Sequence, residues 1–233
     1  MKRLRKNIVS SHLEIVCLFM AQSVKNYYQL SKIEIDKIIR ENKRPTLALH
    51  ACCAPCSTFP LEFLTPYFDV TILYVNSNIY PQEEYNRRLN ELKKYLEIFN
   101  NKSRYKVNLI EFEYKNEEYN TKLEPLKDQK EGQDRCKLCY SLRMNQAYKY
   151  ADEHNFDYFT TVMTISRQKN SQILNQIGIN LSNKYKTKYF MSDFKKKKGI
   201  DRALEIRKEH NLYNQEYCGC IYSYRKYIED KKD

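Results

Sequence analysis

The stretch "TLALHACCAPCSTFPLEFLTPYF" (46–68) reads as a short buried strand over 46–51, a cysteine-bearing turn, and a helix with Ser57 or Thr58 as its cap. The same unit recurs downstream. "DVTILYVNSNIY" (69–80) is a second strand, "QEEYNRRLNELKKYLEIFN" (82–100) an amphipathic helix and "YKVNLIEFEY" (105–114) a third strand. "LCYSLRMNQAYKYADEHN" (138–155) is helical, "FDYFTTVMTIS" (156–166) a strand and "NSQILNQIGINLSNKY" (170–185) a helix. "KYFMSDF" (188–194), "IDRALEIRKEHN" (200–211) and "YSYRKYIED" (222–230) close the chain as strand, helix and helix. Strands alternating with helices predict an α/β, Rossmann-like three-layer sandwich with a mostly parallel sheet. In such sheets ligands bind beyond the carboxyl ends of the strands, where "CCAPC" falls after the first one.

Upstream, residues 1–44 read as an N-terminal helical extension, with "VKNYYQLSKIEIDKIIREN" (24–42) at helical spacing and Pro45 closing it. Residues 45–233 form the main metal-binding domain. The first residues join a basic head to "IVCLFMA", but His12 and Glu14 interrupt the pattern and no small-residue cleavage site follows, which argues against a signal peptide. No stretch reaches membrane-spanning length. The expected compartment is the cytoplasm, where the eight cysteines signify metal or redox chemistry rather than structural disulfides.

Composition narrows the chemistry further. Average usage would give roughly sixteen glycines, yet only Gly132, Gly178, Gly199 and Gly219 are present. No GxGxxG or GxxxxGK[ST] loop can be written from them, which excludes the usual nucleotide-cradling motifs. Lys and Arg total 41 against 29 Asp and Glu, a net +12, alongside 21 tyrosines. That pairing suits phosphate contact with base stacking, although the solvated faces of a lysine-rich chain give the same balance.

Cys17 lies on the apolar face of the N-terminal helix and reads as a small hydrophobe. Seven cysteines remain: Cys52, Cys53 and Cys56; Cys136 and Cys139; Cys218 and Cys220. Cys136 and Cys139, three apart at a helix start, share one face, and a helix N-terminus favours thiolates. In extended backbone Cys52 and Cys53 point to opposite sides, so each is expected to serve a different centre. Seven thiols and Asp134 make eight candidate ligands, enough for two four-ligand centres. The readings weighed are one structural zinc with spectator thiols, a dithiol-disulfide enzyme, and an iron-sulfur cluster beside a second metal, the last being favoured.

Five blocks in order, "LHACCAPCS" (49–57), "YVNSNIYPQEEYNRRLNELKKY" (74–95), "DRCKLCYSLRM" (134–144), "FTTVMTISRQKN" (159–170) and "DFKKKKGIDRALEIRKEHNLYNQEYCGCIYS" (193–223), resemble the QueH-type epoxyqueuosine reductases. The resemblance implies a cobalamin-independent enzyme that removes the epoxide oxygen from epoxyqueuosine at the wobble position of tRNA, the last step of queuosine synthesis. It implies a [4Fe–4S] cluster with one additional ion, iron, on an adenine-nucleotide-hydrolase-like scaffold, and an unidentified electron donor. The family's motif cysteines correspond to Cys52, Cys53, Cys136, Cys139, Cys218 and Cys220, and its acidic residue to Asp134. The third cysteine of the first block varies in the family, which leaves Cys56 less determined.

On that basis Cys53, Cys136, Cys139 and Cys218 are assigned to the cluster. Cys52, Cys56, Cys220 and Asp134 are assigned to the ion, because a hard carboxylate suits a metal that binds oxygen. Asp134 is therefore also a catalytic candidate, and Tyr140 a candidate proton donor. Arg143, Arg167, Gln168, Lys169, Lys195, Lys196, Lys197 and Lys198 are candidates for contact with the tRNA anticodon arm. The competing readings are an iron-sulfur tRNA thiolase, which needs the missing ATP loop, and a non-catalytic, zinc-stabilised RNA-binding module.

Overall fold

Thr46–His50 (β1) lies at the centre of a five-stranded sheet, buried on both faces from Leu47 onward. A computed structural model describes residues 25–232. The elements in chain order are α1 (Tyr27–Arg40), β1, α2 (Ala54–Leu64), β2 (Asp69–Tyr74), α3 (Gln82–Lys102), β3 (Asn108–Glu111) and α4 (Asn116–Leu123). Then come α5 (Asp134–Glu153), β4 (Tyr158–Thr161), α6 (Ser171–Ser182), β5 (Lys188–Tyr189), α7 (Gly199–Glu209) and α8 (Ile221–Glu229). Every strand pair is parallel and the order is β3-β2-β1-β4-β5. The register sets His50 opposite Leu73 on one side and Thr161 on the other. Strand order reverses between β1 and β4, so the crevice that such a reversal opens lies directly beyond His50.

Side-chain alternation along β1 divides the core into two. Leu47 and Leu49 join Val70, Ile72, Leu61 and Leu92 on one face, and Ala48 joins Leu73, Phe159, Met144 and Leu174 on the other. Helices α1, α2, α3 and α7 cover the first face, and α5 and α6 cover the second, giving three layers. The helix expected in 24–42 is α1. It places Ile35 and Ile38 in the main core, and its Glu34 carboxylate accepts from Tyr158 Oη at 2.5 Å and Lys188 Nζ at 2.6 Å. Cys17 lies outside the described residues.

Several boundaries differ from the sequence expectation for local reasons. Helix α2 begins at Ala54, capped by Cys53 rather than by Ser57 or Thr58. Pro55 occupies the first turn, where its fixed φ and missing N–H are tolerated, and the Ser57 and Thr58 hydroxyls instead donate back to Cys53 O and Pro55 O at 2.8 and 3.1 Å. Helix α5 starts at Asp134 and so includes the whole CxxC pair. The strand expected over 156–166 stops at Thr161, whose Oγ1 accepts from Met163 N and turns the chain into a short 3-10 helix at Val162–Ile165. The strand expected over 188–194 keeps only two residues. Helix α4 has no expected counterpart, since "NEEYNTKL" offers only Tyr119 and Leu123 as buried apolar positions.

Gly178 on α6 faces the Tyr189 ring, and a Cβ there overlaps it. Alanine in place of a mid-helix glycine ordinarily gains up to about 1 kcal/mol. Here Gly178→Ala is expected to lose about 1–3 kcal/mol through overpacking, measured as a lowered urea midpoint; an unchanged or raised midpoint contradicts this packing.

Candidate metal centre

Cys52 sits at a bend two residues past β1, Cys53 caps α2, and Cys56 lies in its first turn. Their sulfurs lie within 4.8 Å of one another, with Cys52 Sγ 3.8 Å from Cys53 Sγ. This corrects the expectation that the vicinal pair points to opposite sides. The strand ends at His50 and the backbone bends at Cys52, so the alternation of extended chain no longer applies. A tetrahedral ion with sulfur ligands at ~2.3 Å spaces them about 3.8 Å apart, so the donor set fits a soft metal. The Cys52 thiol is pushed well down, first by hydrogen bonds from Cys53 and Cys56 and then by the charges of Arg143 and Lys169. Its two partners are pushed up correspondingly by the same shared hydrogen bonds. Gln215, in the loop before α8, adds an amide donor 3.4 Å from Cys53 Sγ.

Cys136 and Cys139 approach on α5 from the opposite layer, and Cys218 and Cys220 from the loop before α8. Cys136 accepts from Gly132 N at 3.2 Å, and Tyr119 of α4 donates to Cys139 O at 2.8 Å, which fastens α4 over the CxxC. Burial pushes the Cys139 thiol up to about 11. Cys220 caps α8, its sulfur accepting from Ser223 N at 3.4 Å. Cys136, Cys218 and Cys220 line a cavity of about 240 Å³, and Cys52, Cys56 and Cys218 line a larger one of about 440 Å³. Cys218 belongs to both, so all three cysteine groups meet at the crevice beyond β1.

The loop bearing Cys218 and Cys220 is held by a residue that sequence reading did not single out. Arg88 on α3 is 2% exposed and pairs with Glu84 at 2.7 Å. Its Nη1 donates to Cys218 O at 3.2 Å and its Nη2 to Tyr217 O at 3.1 Å. Gly219 between the two cysteines has φ +118°, and a Cβ there would stand 2.9 Å from Arg88 Nη1. Glycine is thus required twice, for the positive φ and for the approach of the guanidinium. The available signal was an Arg four residues after a Glu within the stripe Tyr85, Leu89 and Leu92.

The remaining candidates separate into inside and outside. Arg143 is 3% exposed, bonds Asn76 Oδ1 and Asn78 Oδ1, and lines the larger cavity. Lys169 and Gln168 line that cavity, and Arg167 is exposed nearby. Burial opposes the Lys169 charge, but Cys218 and Cys52 outweigh it and hold the ammonium above its ordinary range. Lys195 turns inward and donates to Thr164 O and Lys169 O at 2.9 and 3.2 Å, so the lysine run is not one uniform face; Lys196, Lys197 and Lys198 are exposed. Tyr140 is buried, and burial raises its phenol beside Lys169 and Cys218. Asp134 is exposed, its carboxylate 2.8 Å from Lys137 Nζ, and lines neither cavity. Among the described residues, no helix is long and apolar enough to cross a membrane.

The parallel α/β sheet carries at its switch point clustered thiols beside Arg143 and Lys169, a donor set that could hold a metal ion. Residues 47–226 match the family model described as epoxyqueuosine reductase QueH. The Staphylococcus aureus epoxyqueuosine reductase QueH is 42% identical over 200 residues, covering 85% of this chain and 83% of the relative. The Streptococcus pyogenes protein of the same name is 40% identical over 82% of this chain and 78% of its own length. The Thermotoga maritima one is 31% identical over 76% and 90%. The chain belongs to the epoxyqueuosine reductase QueH family and is an oxidoreductase.

Arg88→Met leaves the buried Glu84 carboxylate facing only the Tyr213 hydroxyl. The expected cost is about 3–5 kcal/mol in urea unfolding, because one member of a buried ion pair is stranded. Adding Glu84→Gln recovers most of it, whereas Cys218 stays more reactive to alkylation in both variants because its loop is released. A single variant as stable as the parent contradicts the role given to this pair.

Proposed function

We propose that this chain converts epoxyqueuosine to queuosine at the wobble position of tRNA, the last step of queuosine synthesis, in the cytoplasm. The observation that carries the reading is the trio of Cys52, Cys53 and Cys56, with sulfurs within 4.8 Å, opening into a cavity with Cys218 in a chain of this family. Removing the epoxide oxygen takes two electrons and two protons, leaves an alkene, and releases the oxygen as water. The seven thiols, too few for three four-ligand centres but enough for a cluster and an ion, are the proposed ligands of a [4Fe–4S] cluster and one further iron. When bound, that pair supplies low-potential electrons and a Lewis acid. Asp134, exposed, paired with Lys137 and outside both cavities, would have to give up that contact to serve as a ligand of the ion. Because Cys52 and Cys53 lie 3.8 Å apart, they can serve one centre together, in place of the division expected from extended backbone.

The protein's own groups do the rest. A cavity of about 440 Å³ is of the size that encloses a small polar ring. Tyr140 keeps its proton at neutral pH because burial disfavours the phenolate, and with Lys169 beside it is the proposed proton source. Arg167, Gln168, Lys196, Lys197 and Lys198 hold the anticodon arm, with Lys169 at the cavity wall and Lys195 bracing the turn beneath them. Electrons enter from a separate donor.

Anaerobically reconstituted protein, given a strong reductant and no cobalamin, is expected to deplete the epoxide of epoxyqueuosine-bearing tRNA in nucleoside analysis. Persistence of the epoxide with a reduced, intact cluster contradicts the reading, as does full activity with zinc alone. Changing Lys196, Lys197 and Lys198 to Ala is expected to weaken tRNA binding and flatten its salt dependence by up to about 1 in log–log slope per lost phosphate contact, with iron content unchanged. Equal affinity at all salt concentrations contradicts the placement of the RNA.

A further inference from the structure

Arg143 lies one helical turn beyond Cys139, on the stripe of α5 that also carries Cys136, Tyr140, Met144 and Ala147 into the core. Burying a guanidinium is costly unless a negative charge accompanies it. The fold provides one for Arg88, through Glu84. It provides no carboxylate for Arg143, whose partners are the neutral Asn76 Oδ1 at 3.3 Å, Asn78 Oδ1 at 3.2 Å and Met163 Sδ. Its Nε has no partner among the described residues. It shares a cavity wall with Cys52, Cys56 and Cys218, and its helix carries Cys139 four residues earlier; Glu131, Glu216 and Asp230 line the same cavity but none forms an ion pair with it.

The frame around Arg143 is tied to the same sulfurs. Asn76 donates from Nδ2 to Ala51 O at 2.8 Å, fixing the residue before Cys52. Asn116 of α4 donates to Ser77 O and Ile79 O, holding the 76–79 loop that presents both asparagine oxygens. Hydrogen bonds therefore join the guanidinium through Asn76 to the residue that precedes Cys52. His50, on the face of β1 that carries Ala48, is buried between Thr161 Oγ1 and Val75 O at 2.9 and 3.3 Å.

Resting on the cluster-bearing reading above, we propose that Arg143 is the internal counter-charge of the thiolate-held centre and sets its reduction potential, rather than contacting RNA. Adding an electron to an anionic centre is easier beside a fixed cation, so removing that cation moves the potential to more negative values. Lys169, on the same wall and with no carboxylate within ion-pair distance among the described residues, acts in the same direction from a half-exposed position.

The test is an EPR-monitored redox titration of reconstituted holoprotein carrying Arg143→Gln, Arg143→Lys or Lys169→Gln, alongside iron, sulfide and tRNA-binding measurements. Arg143→Gln is expected to lower the midpoint by at least a tenfold change in the oxidised-to-reduced ratio, 59 mV for one electron. Arg143→Lys is expected to recover most of that shift, and tRNA affinity is expected to stay constant in both. If Arg143→Gln loses its cluster while Arg143→Lys keeps it, the need for charge is supported; equal loss in both overturns it. Lys169→Gln, which leaves the core intact, is expected to lower the potential less, and an unchanged potential there overturns the shared cationic wall should Arg143→Gln fail to fold. An unchanged potential with weakened tRNA binding makes Arg143 an RNA contact and overturns the inference. A parent protein that reduces normally yet leaves the epoxide intact overturns only the functional reading; one with no reducible centre overturns both.

Discussion

A cysteine sulfur buried at the end of a parallel sheet holds a negative charge only beside positive charge, and the arrangement of this protein follows from supplying it. Arg143 rises from α5 below the crevice, Arg88 reaches across from α3, and Lys169 closes the wall from the turn before α6. Cys53 caps α2 and Cys56 lies in its first turn, so both stand at the positive end of that helix dipole. Hydrogen bonds from Cys53 and Cys56 lower the Cys52 thiol first, and the charges of Arg143 and Lys169 add to them. Cys53 and Cys56 are pushed up, so a metal bound by the trio would displace their protons.

The fold places that charge where the sheet can use it. Strand β1 is the hinge of the order β3-β2-β1-β4-β5, and its carboxyl end is the one place where loops diverge to both sides. A phosphate-binding member of this architecture fills the position with a glycine-rich turn leading into a helix. Here the turn is "CCAPC", and the same helix N-terminus carries cysteine sulfurs where a phosphate would sit. Glycine is kept where sulfur demands it, at Gly219, so that Arg88 can grip the carbonyls on which Cys218 and its neighbour depend.

Much of this was legible in sequence because it is periodic or local. The buried run of β1, the alternation of strands with helices, and the CxxC at a helix start all depend on neighbouring residues alone. The direction of Cys52 relative to Cys53 was not legible, because it turns on one bend just before α2 starts at Ala54. Nor was the inward fate of Arg143. A charged residue four positions after Cys139 reads as a surface contact until the stripe of Tyr140, Met144 and Ala147 shows that this face of α5 is buried. Arg88 was hidden similarly, since its value depends on carbonyls 129 and 130 residues away. Helix α4 escaped notice because only Tyr119 and Leu123 mark its buried face, and its function is to lid Cys139.

That the three cysteine groups meet at two adjoining cavities joined by Cys218 is tested most directly by Mössbauer spectroscopy of protein reconstituted anaerobically with isotopically labelled iron. This arrangement predicts the spectrum of a [4Fe–4S] cluster together with a second, distinct iron component, and predicts that substitution of Cys218, which lines both cavities, perturbs the two components together. A lone tetrathiolate iron, or two components of which Cys218 affects only one, would contradict it.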